Sequence, residues 1–596
     1  MKRDRLFGNV LMRLVAYVAM AFVCAGSAWC ANTAPINPRF MDWQRKREKE
    51  IAQRRIGETN ESSRLPKRRL LSASGTEEGA PHVLGYIPDM VDYSYLKDIN
   101  FQGASKTGVL AAETLPSSFD LRTANRVTSI KNQGNFGTCW AHATYASLES
   151  WLFSQGEGIF DFSEKHLAAT HGRDWGYDDG GNATVAAAYL TRWSGPIAES
   201  EDPYPTGAWT DSPEGTPLGH VQNIRILTPM STGYDTEEIK RVLYEVGAVY
   251  VSYTHINAAL SSDRKNFYWN GDTSIYNPYS DGGHAVTIIG WDDNYSKNNF
   301  KYTPPYNGAF LVKNSWGANW GDNGCFWVSY WDATFGASDL FCFNSLEPTD
   351  NYGDIYQYDP LGKVSSYGGK ATMHGANVFV ARKNDLLAAV GFYANVPNTK
   401  YTISIYVGCT ASSPVSGTLR LTQSGTVENC GYVTIPLDDD VSISKGQRFS
   451  IVFRLNTPGY NYPLAFEAYY SYSSNGKTYW TPTSEATASA GESFISNDGT
   501  MWTDFTSVFP NGNLCLKAYT KSATAAKPTL VAITVMPQDE KTTSVKSGDT
   551  VQLKCGATYT DGSKKNVSPT WSITEGRNYA TISSSGLVVT YSNLTQ

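Results

Sequence analysis

Hydrophobic positions change their spacing repeatedly along these 596 residues, and each change predicts a different kind of structure. An unbroken apolar block, Leu11 to Val23, follows the basic start Met-Lys-Arg-Asp-Arg and precedes the small residues Ala25-Gly-Ser-Ala28. That order predicts a secretory signal peptide over residues 1–31 rather than a membrane anchor, and no second long apolar run follows. Residues 32–112 are charged and poorly periodic apart from one basic helical stretch, Trp43 to Arg55, and read as a pro-segment or linker. Within 113–345, Cys139 to Leu152 carries helix-compatible apolar spacing and Thr184 to Trp193 reads as a second helix. Ala285-Val-Thr-Ile-Ile-Gly290 is a continuous apolar run of the kind that makes a buried strand. After about residue 345 short alternating runs recur, such as Ala376 to Ala381, Lys400 to Val407 and Gln447 to Arg454. Gly, Asn, Ser and Asp separate them, which predicts an all-β sandwich over 346–522. A further β pattern runs from Leu530-Val-Ala-Ile-Thr-Val535 through Trp571 to Ile582-Ser-Ser-Ser-Gly-Leu-Val588.

Length alone argues for several cores. The formal charge is −6, from 50 basic and 56 acidic residues of mixed order, which offers no electrostatic footprint for nucleic acid. Many Tyr and Trp suit an extracellular, β-rich surface. Nine cysteines occur, two of them, Cys24 and Cys30, in or beside the leader. Export permits disulfides. The expected pair is Cys409–Cys430, with Cys325–Cys342 as a second candidate.

The chemistry concentrates in three short stretches. Gln133-Gly-Asn-Phe-Gly-Thr-Cys-Trp140 puts a cysteine at the start of the predicted helix, punctuated by Gly134 and Gly137. Downstream lie Gly-Gly-His284-Ala-Val and Lys-Asn314-Ser-Trp316-Gly. A thiolate is the nucleophile, and a helix N-terminus and a nearby imidazolium both favour it. No cofactor or metal is implied by this set.

These stretches resemble the papain family of cysteine peptidases, which combines a Cys-Trp motif with a remote His and Asn. The resemblance implies an α+β, two-lobed catalytic domain over 113–345 that cuts protein or peptide substrates through an acyl-thioester. It assigns Cys139 as nucleophile, His284 as general acid and base, Asn314 as the residue orienting that imidazole, and Gln133 as an oxyanion-hole donor. Trp316 is expected to cover the His–Asn hydrogen bond. Gly180 and Gly181 match the segment that lets an extended substrate backbone approach. Leu115-Pro-Ser-Ser-Phe-Asp120 resembles the mature amino-terminal stretch. The β pattern over 346–522 looks like the lectin-like module that follows such domains in certain bacterial secreted peptidases, which raises glycans or cell-surface components as partners. Residues 527–596 are similar to bacterial immunoglobulin-like repeats and stop partway through the expected strand set. Together these imply a secreted or cell-envelope protein.

Three departures and two other readings accompany the resemblance. Phe136 stands where relatives carry a structural cysteine, so its ring must hold that loop by packing. His142, three residues after Cys139, is a rival base on the helix side, with a packing or solvent-facing role favoured. Extra residues around Asn294 to Tyr306 are expected to form a hairpin or loop near the active-site rim. A surface adhesin using the peptidase domain as scaffold, and a transglutaminase-type acyl transferase, are the alternatives. The intact Cys, His, Asn and Gln disfavour both.

Overall fold

The helix Cys139–Ser154 is buried on nearly every face, because small and apolar residues surround its whole circumference. It packs against the shorter helices Glu164–Thr170 and Ala183–Thr191 on one side and against strands on the other. The computed structural model describes residues 32–57, 83–103, 115–233, 236–278, 280–523 and, with short breaks, 530–591. The stretch read as a signal peptide lies outside the described residues. Among them no helix is long and apolar enough to cross a membrane.

The chain divides after Ser522 into two compact units. In the first, one sheet of twelve strands runs through both regions that the sequence separates at residue 345. Its half before residue 345 includes, in order, Cys325–Ser329, Ala309–Lys313, Gly282–Asp292, Val249–His255, Leu340–Phe343 and Ile224–Ile226. The short strand Ile224–Ile226 then pairs with Gly431 and Tyr432, which carries the sheet into Gly431–Ile443, Asp385–Ala394 and Lys517–Ser522. A second sheet, with Thr399–Val407, Arg448–Asn456 and Thr372–Val380 at its centre, closes a sandwich over an apolar core that includes Leu387, Phe392, Ile405 and Phe453. The second unit is a five-stranded antiparallel arrangement around Thr550–Tyr559.

The basic stretch is a helix, Pro38–Gly57. Phe40 and Trp43 stack, and Trp43 meets Trp175 edge-on. Arg47 pairs with Asp179 at 3.1 Å, while Gln44 and Glu48 reach Tyr472 and Lys477 on the hairpin of the β-sandwich. This early segment therefore lies against both halves of the first unit.

Two expectations fail for geometric reasons. All seven described cysteines are free thiols. Hairpin register sets Thr399 opposite Val427 and Val407 opposite Thr418, so Cys409 and Cys430 flank opposite ends of the hairpin, about 27 Å apart at ordinary strand rise. A disulfide requires Cα atoms within about 7 Å. Cys325 and Cys342 lie on strands separated by three others, about 19 Å apart at ordinary spacing. The extra residues around Asn294 also sit elsewhere than expected. His284 is near the start of Gly282–Asp292 and the insertion follows its end, at the far tip of the hairpin, where Tyr295 stacks on Trp327.

Candidate active site

Cys139 opens its helix directly after Thr138, where free backbone N–H groups gather. Across from it the strand Gly282–Asp292 brings His284, and the backbone N–H of the next residue, Ala285, donates to Cys139 Sγ at 3.5 Å. His284 Nε2 meets Asn314 Oδ1 at 2.9 Å. The Trp316 ring stacks on the imidazole with centroids 4.6 Å apart and an 18° tilt, and is itself packed by Trp320 and His255. Asn314 follows the strand Ala309–Lys313, whose register against Gly282–Asp292 places it beside the histidine.

Gln133 is held at both ends of its amide. Ser315 Oγ donates to its Oε1 at 2.6 Å, and its Nε2 donates to Phe136 O at 2.8 Å and Val83 O at 3.0 Å. Val83 belongs to the early segment, which continues straight through the cleft. Gly85 O accepts from Gly181 N–H and Ile87 N–H donates to Gly181 O, both at 2.9 Å. Tyr86 N–H donates to Gly283 O at 3.2 Å. The segment thus lies extended between Gly181 and the strand Gly282–Asp292.

Glycines permit this closeness. A Cβ on Gly85 would lie 2.0 Å from Gly137 O, and one on Gly180, whose φ is +115°, would lie 2.3 Å from Gly85 O. Three backbones nest where no side chain fits. Burial and the surrounding N–H groups act on the sulfur in opposite directions. Burial pushes the Cys139 thiol up to about 11, although the N–H groups of Ala285, Gly85 and Trp140 pull the other way. What faces the sulfur from the segment is the Gly85 N–H, while the Gly85 carbonyl is spent on Gly181.

Residues 115–338 match the model described as papain family cysteine protease, and residues 355–520 match the lectin like domain. This is a papain-family protease domain followed by a lectin-like domain. The chain is 30% identical to the viral cathepsin of Epiphyas postvittana nucleopolyhedrovirus, over 35% of this chain and 58% of that protein. It is 28% identical to cathepsin L2 of Homo sapiens, over 35% of this chain and 59% of that protein. The chain thus spans less than two thirds of the length of these curated relatives. It also resembles the crystal structure of the cysteine protease and lectin-like domains of Cwp84, a surface layer associated protein of Clostridium difficile. That likeness has a TM-score of 0.60 at 27% identity and covers 74% of this chain and 98% of the other.

Other residues of the protease domain bear on the site. His142 is buried, its Nδ1 3.0 Å from Thr138 O and its ring edge-on to Tyr204, so it packs within the helix side. Burial lowers its pKa. Phe136 packs on Tyr177, Tyr204 and Trp209, which holds the loop in place of a disulfide. Sequence reasoning missed Tyr204, whose hydroxyl donates to Gln133 O at 2.9 Å and lies 2.5 Å from Thr138 Oγ1, bridging both ends of the loop before Cys139. It also missed residues 83–87, which carry no motif beyond a single glycine.

Proposed function

We propose that this chain is the precursor of an exported thiol endopeptidase, closed by its own residues 83–87. Cys139 attacks the scissile carbonyl, His284 passes its proton to the leaving amine, and water then releases the acyl group from sulfur. Asn314 fixes the imidazole, Trp316 shields that hydrogen bond, and Gln133 with the Cys139 N–H stabilises the oxyanion. The observation that carries this reading is the extended segment seated on Gly181, Gly283 and Gln133 beside the sulfur. The segment also meets the sulfur with the Gly85 N–H and Gln133 with the Val83 carbonyl, so it covers the groups that a substrate would need.

The residues 32–112 are the pro-segment in this proposal, 113–345 the catalytic domain and 346–522 the lectin-like domain, with glycans or cell-surface components as its partners. The five-stranded unit is read as immunoglobulin-like, and the leader as directing export to the cell envelope or beyond. The decisive experiment compares wild type and Cys139→Ala on a protein substrate after the early segment has been removed. Cleavage by wild type alone, with matching circular dichroism for the two, is the expected result. Equal cleavage by both removes the peptidase reading.

A further inference from the structure

We propose that the lectin-like domain carries a binding site for an acidic pyranose, a sugar ring bearing a carboxylate, built on the ring of Tyr460 and hidden in the precursor by the helix Tyr95–Gly103. This deepens the reading of that domain given above, and rests on it and on the departure of residues 32–112.

Tyr460 stands on the turn after the strand Arg448–Asn456. Thr457 fixes that turn: its Oγ1 donates to Tyr460 O at 2.7 Å, and Tyr460 N–H donates to Thr457 O at 3.1 Å. Tyr462 packs edge-on against the Tyr460 ring, with centroids 5.5 Å apart. The face of that ring is taken by Tyr95, which stacks on it with centroids 3.9 Å apart and an 18° tilt. The Tyr95 hydroxyl donates to Asn395 O at 2.7 Å, an oxygen also met by the weakly donating Cys430 thiol at 3.3 Å. Beside it, Lys363 Nζ donates to Asn395 Oδ1 at 2.8 Å and lies over the Tyr93 ring, 5.4 Å from its centroid. Ile99 closes the edge, since a Cβ on Gly459 would lie 3.4 Å from its Cγ1. Tyr93, Tyr95 and Ile99 all belong to the early segment.

In shape and polarity the stacked Tyr95 stands in for a ligand: a flat apolar face against the Tyr460 ring, and a hydroxyl at the rim. When residues 32–112 leave, Tyr460 loses its cover and Asn395 O its strong donor, and an acceptor left unserved is costly. A pyranose restores both, laying its C–H face on the Tyr460 ring and donating a hydroxyl to Asn395 O. Aromatic walls with a few placed polar groups are the usual build of a small-ligand site. Charge then selects the acidic class. The carboxylates that act on Lys363 and Tyr460 are Asp89 and Asp92, and both belong to the departing segment. Lys363 is only 1% exposed, so loss of Asp89 leaves a sheltered ammonium without that counter-charge. A carboxylate on the sugar replaces it through a charge-assisted hydrogen bond.

The test is an array of neutral, uronate-bearing and sialylated oligosaccharides, probed with the processed full chain and with the precursor. Titration calorimetry then gives Kd for the best-bound member on wild type, Tyr460→Ala, Tyr460→Phe and Lys363→Met. The processed chain is expected to bind carboxylate-bearing members, with the precursor and processed Tyr460→Ala each weaker by at least about tenfold. Tyr460→Phe keeps the affinity, and Lys363→Met levels acidic and neutral members. Equal binding by precursor and processed chain overturns the proposal, as does unchanged affinity in Tyr460→Ala or a wild-type preference for neutral members. Should Tyr460→Ala or Lys363→Met fail to fold, the comparison of precursor with processed wild type decides between the same outcomes. A glycan held equally by precursor, processed chain and Tyr460→Ala removes this site and leaves the glycan reading of the domain standing. No saccharide bound by the processed chain removes both, even if a peptide of residues 89–99 is captured.

Discussion

At Cys139 two effects compete, and their sizes settle the outcome. A helix N-terminus stabilises an anion by about 0.3–1 kcal/mol, less than one pKa unit at roughly 1.4 kcal/mol each. Burial under the early segment moves the thiol from 9.0 up to about 11, so burial wins and the sulfur carries its proton at neutral pH. The sign follows directly: an acid whose pKa is raised stays neutral until pH approaches the raised value. Alkylation of Cys139 by iodoacetamide in the full chain should therefore be slow at pH 8 and climb towards pH 11. After removal of residues 32–112 the midpoint should fall below the ordinary thiol value of about 8.5. Mass spectrometry of the Cys139 peptide across pH checks both arms, and equal midpoints would remove the segment as the cause. Asn314 invites a second test. Its Oδ1 is the partner of His284 Nε2, so Asn314→Ala should lower kcat by about 10²-fold, the low end for a general acid–base contribution, with KM nearly constant. Steady-state kinetics on processed enzyme reads the split. Cys139, His284 and Asn314 were legible in sequence because each stands in a contiguous motif. Tyr204 was not, because it acts through a partner far away in the chain, Gln133.

Residues 83–87 form the element on which closure depends, and their fit is set by Gly85. A methyl group there would lie 2.0 Å from Gly137 O, a backbone atom that cannot swing aside as a side-chain tip would. Gly85→Ala should therefore lift the segment from the groove, at a cost typical of overpacking, about 1–3 kcal/mol or more. The expected readout is Cys139 labelling at pH 8 that rises at least tenfold over the wild-type precursor, in a chain whose melting temperature is otherwise near normal. Unchanged labelling would mean that the segment tolerates the added methyl and that its grip lies elsewhere, for instance at Trp43 or Arg47. The cysteine pairings offer a contrasting lesson. Composition and an expected export made Cys409–Cys430 reasonable, but hairpin register decides it, and register is invisible in a count of cysteines. Addition of a reductant should leave the melting temperature of the purified chain unchanged. The same reasoning explains the insertion around Asn294, since spacing between His284 and Asn314 gives the length of a hairpin without showing which end points at the groove.

Seen as a molecule, the first unit has no structural seam at residue 345, even though two family models meet near it. Alternating runs after that position announced the β-sandwich correctly in kind, yet gave no hint that its sheet continues the catalytic one. The join is small: Ile224–Ile226 pairs with Leu340–Phe343 on one edge and with Gly431 and Tyr432 on the other. Tyr432 and Ile224 are almost fully buried there, and Gly431 admits no Cβ, which would lie 1.9 Å from Ile224 O. A chain ending at residue 345 would uncover these side chains and leave the Ile224 edge without its ladder partner. Fully exposing a large apolar side chain costs about 1.5–3 kcal/mol, and at least Ile224 and the neighbouring cluster around Tyr93 and Phe343 would be affected. Against a typical total stability of about 5–15 kcal/mol, that loss is large. Residues 32–522 should accordingly unfold in a single calorimetric transition, and a chain cut at 345 should melt well below it or fail to remain soluble. Two resolved transitions within 32–522, with the lower part matching an isolated 346–522 fragment, would show instead that the shared sheet couples the halves only weakly. In that case the contacts of the helix Pro38–Gly57 with Tyr472 and Lys477 would have to account for whatever coupling remains, and deleting residues 32–57 would separate the two transitions further.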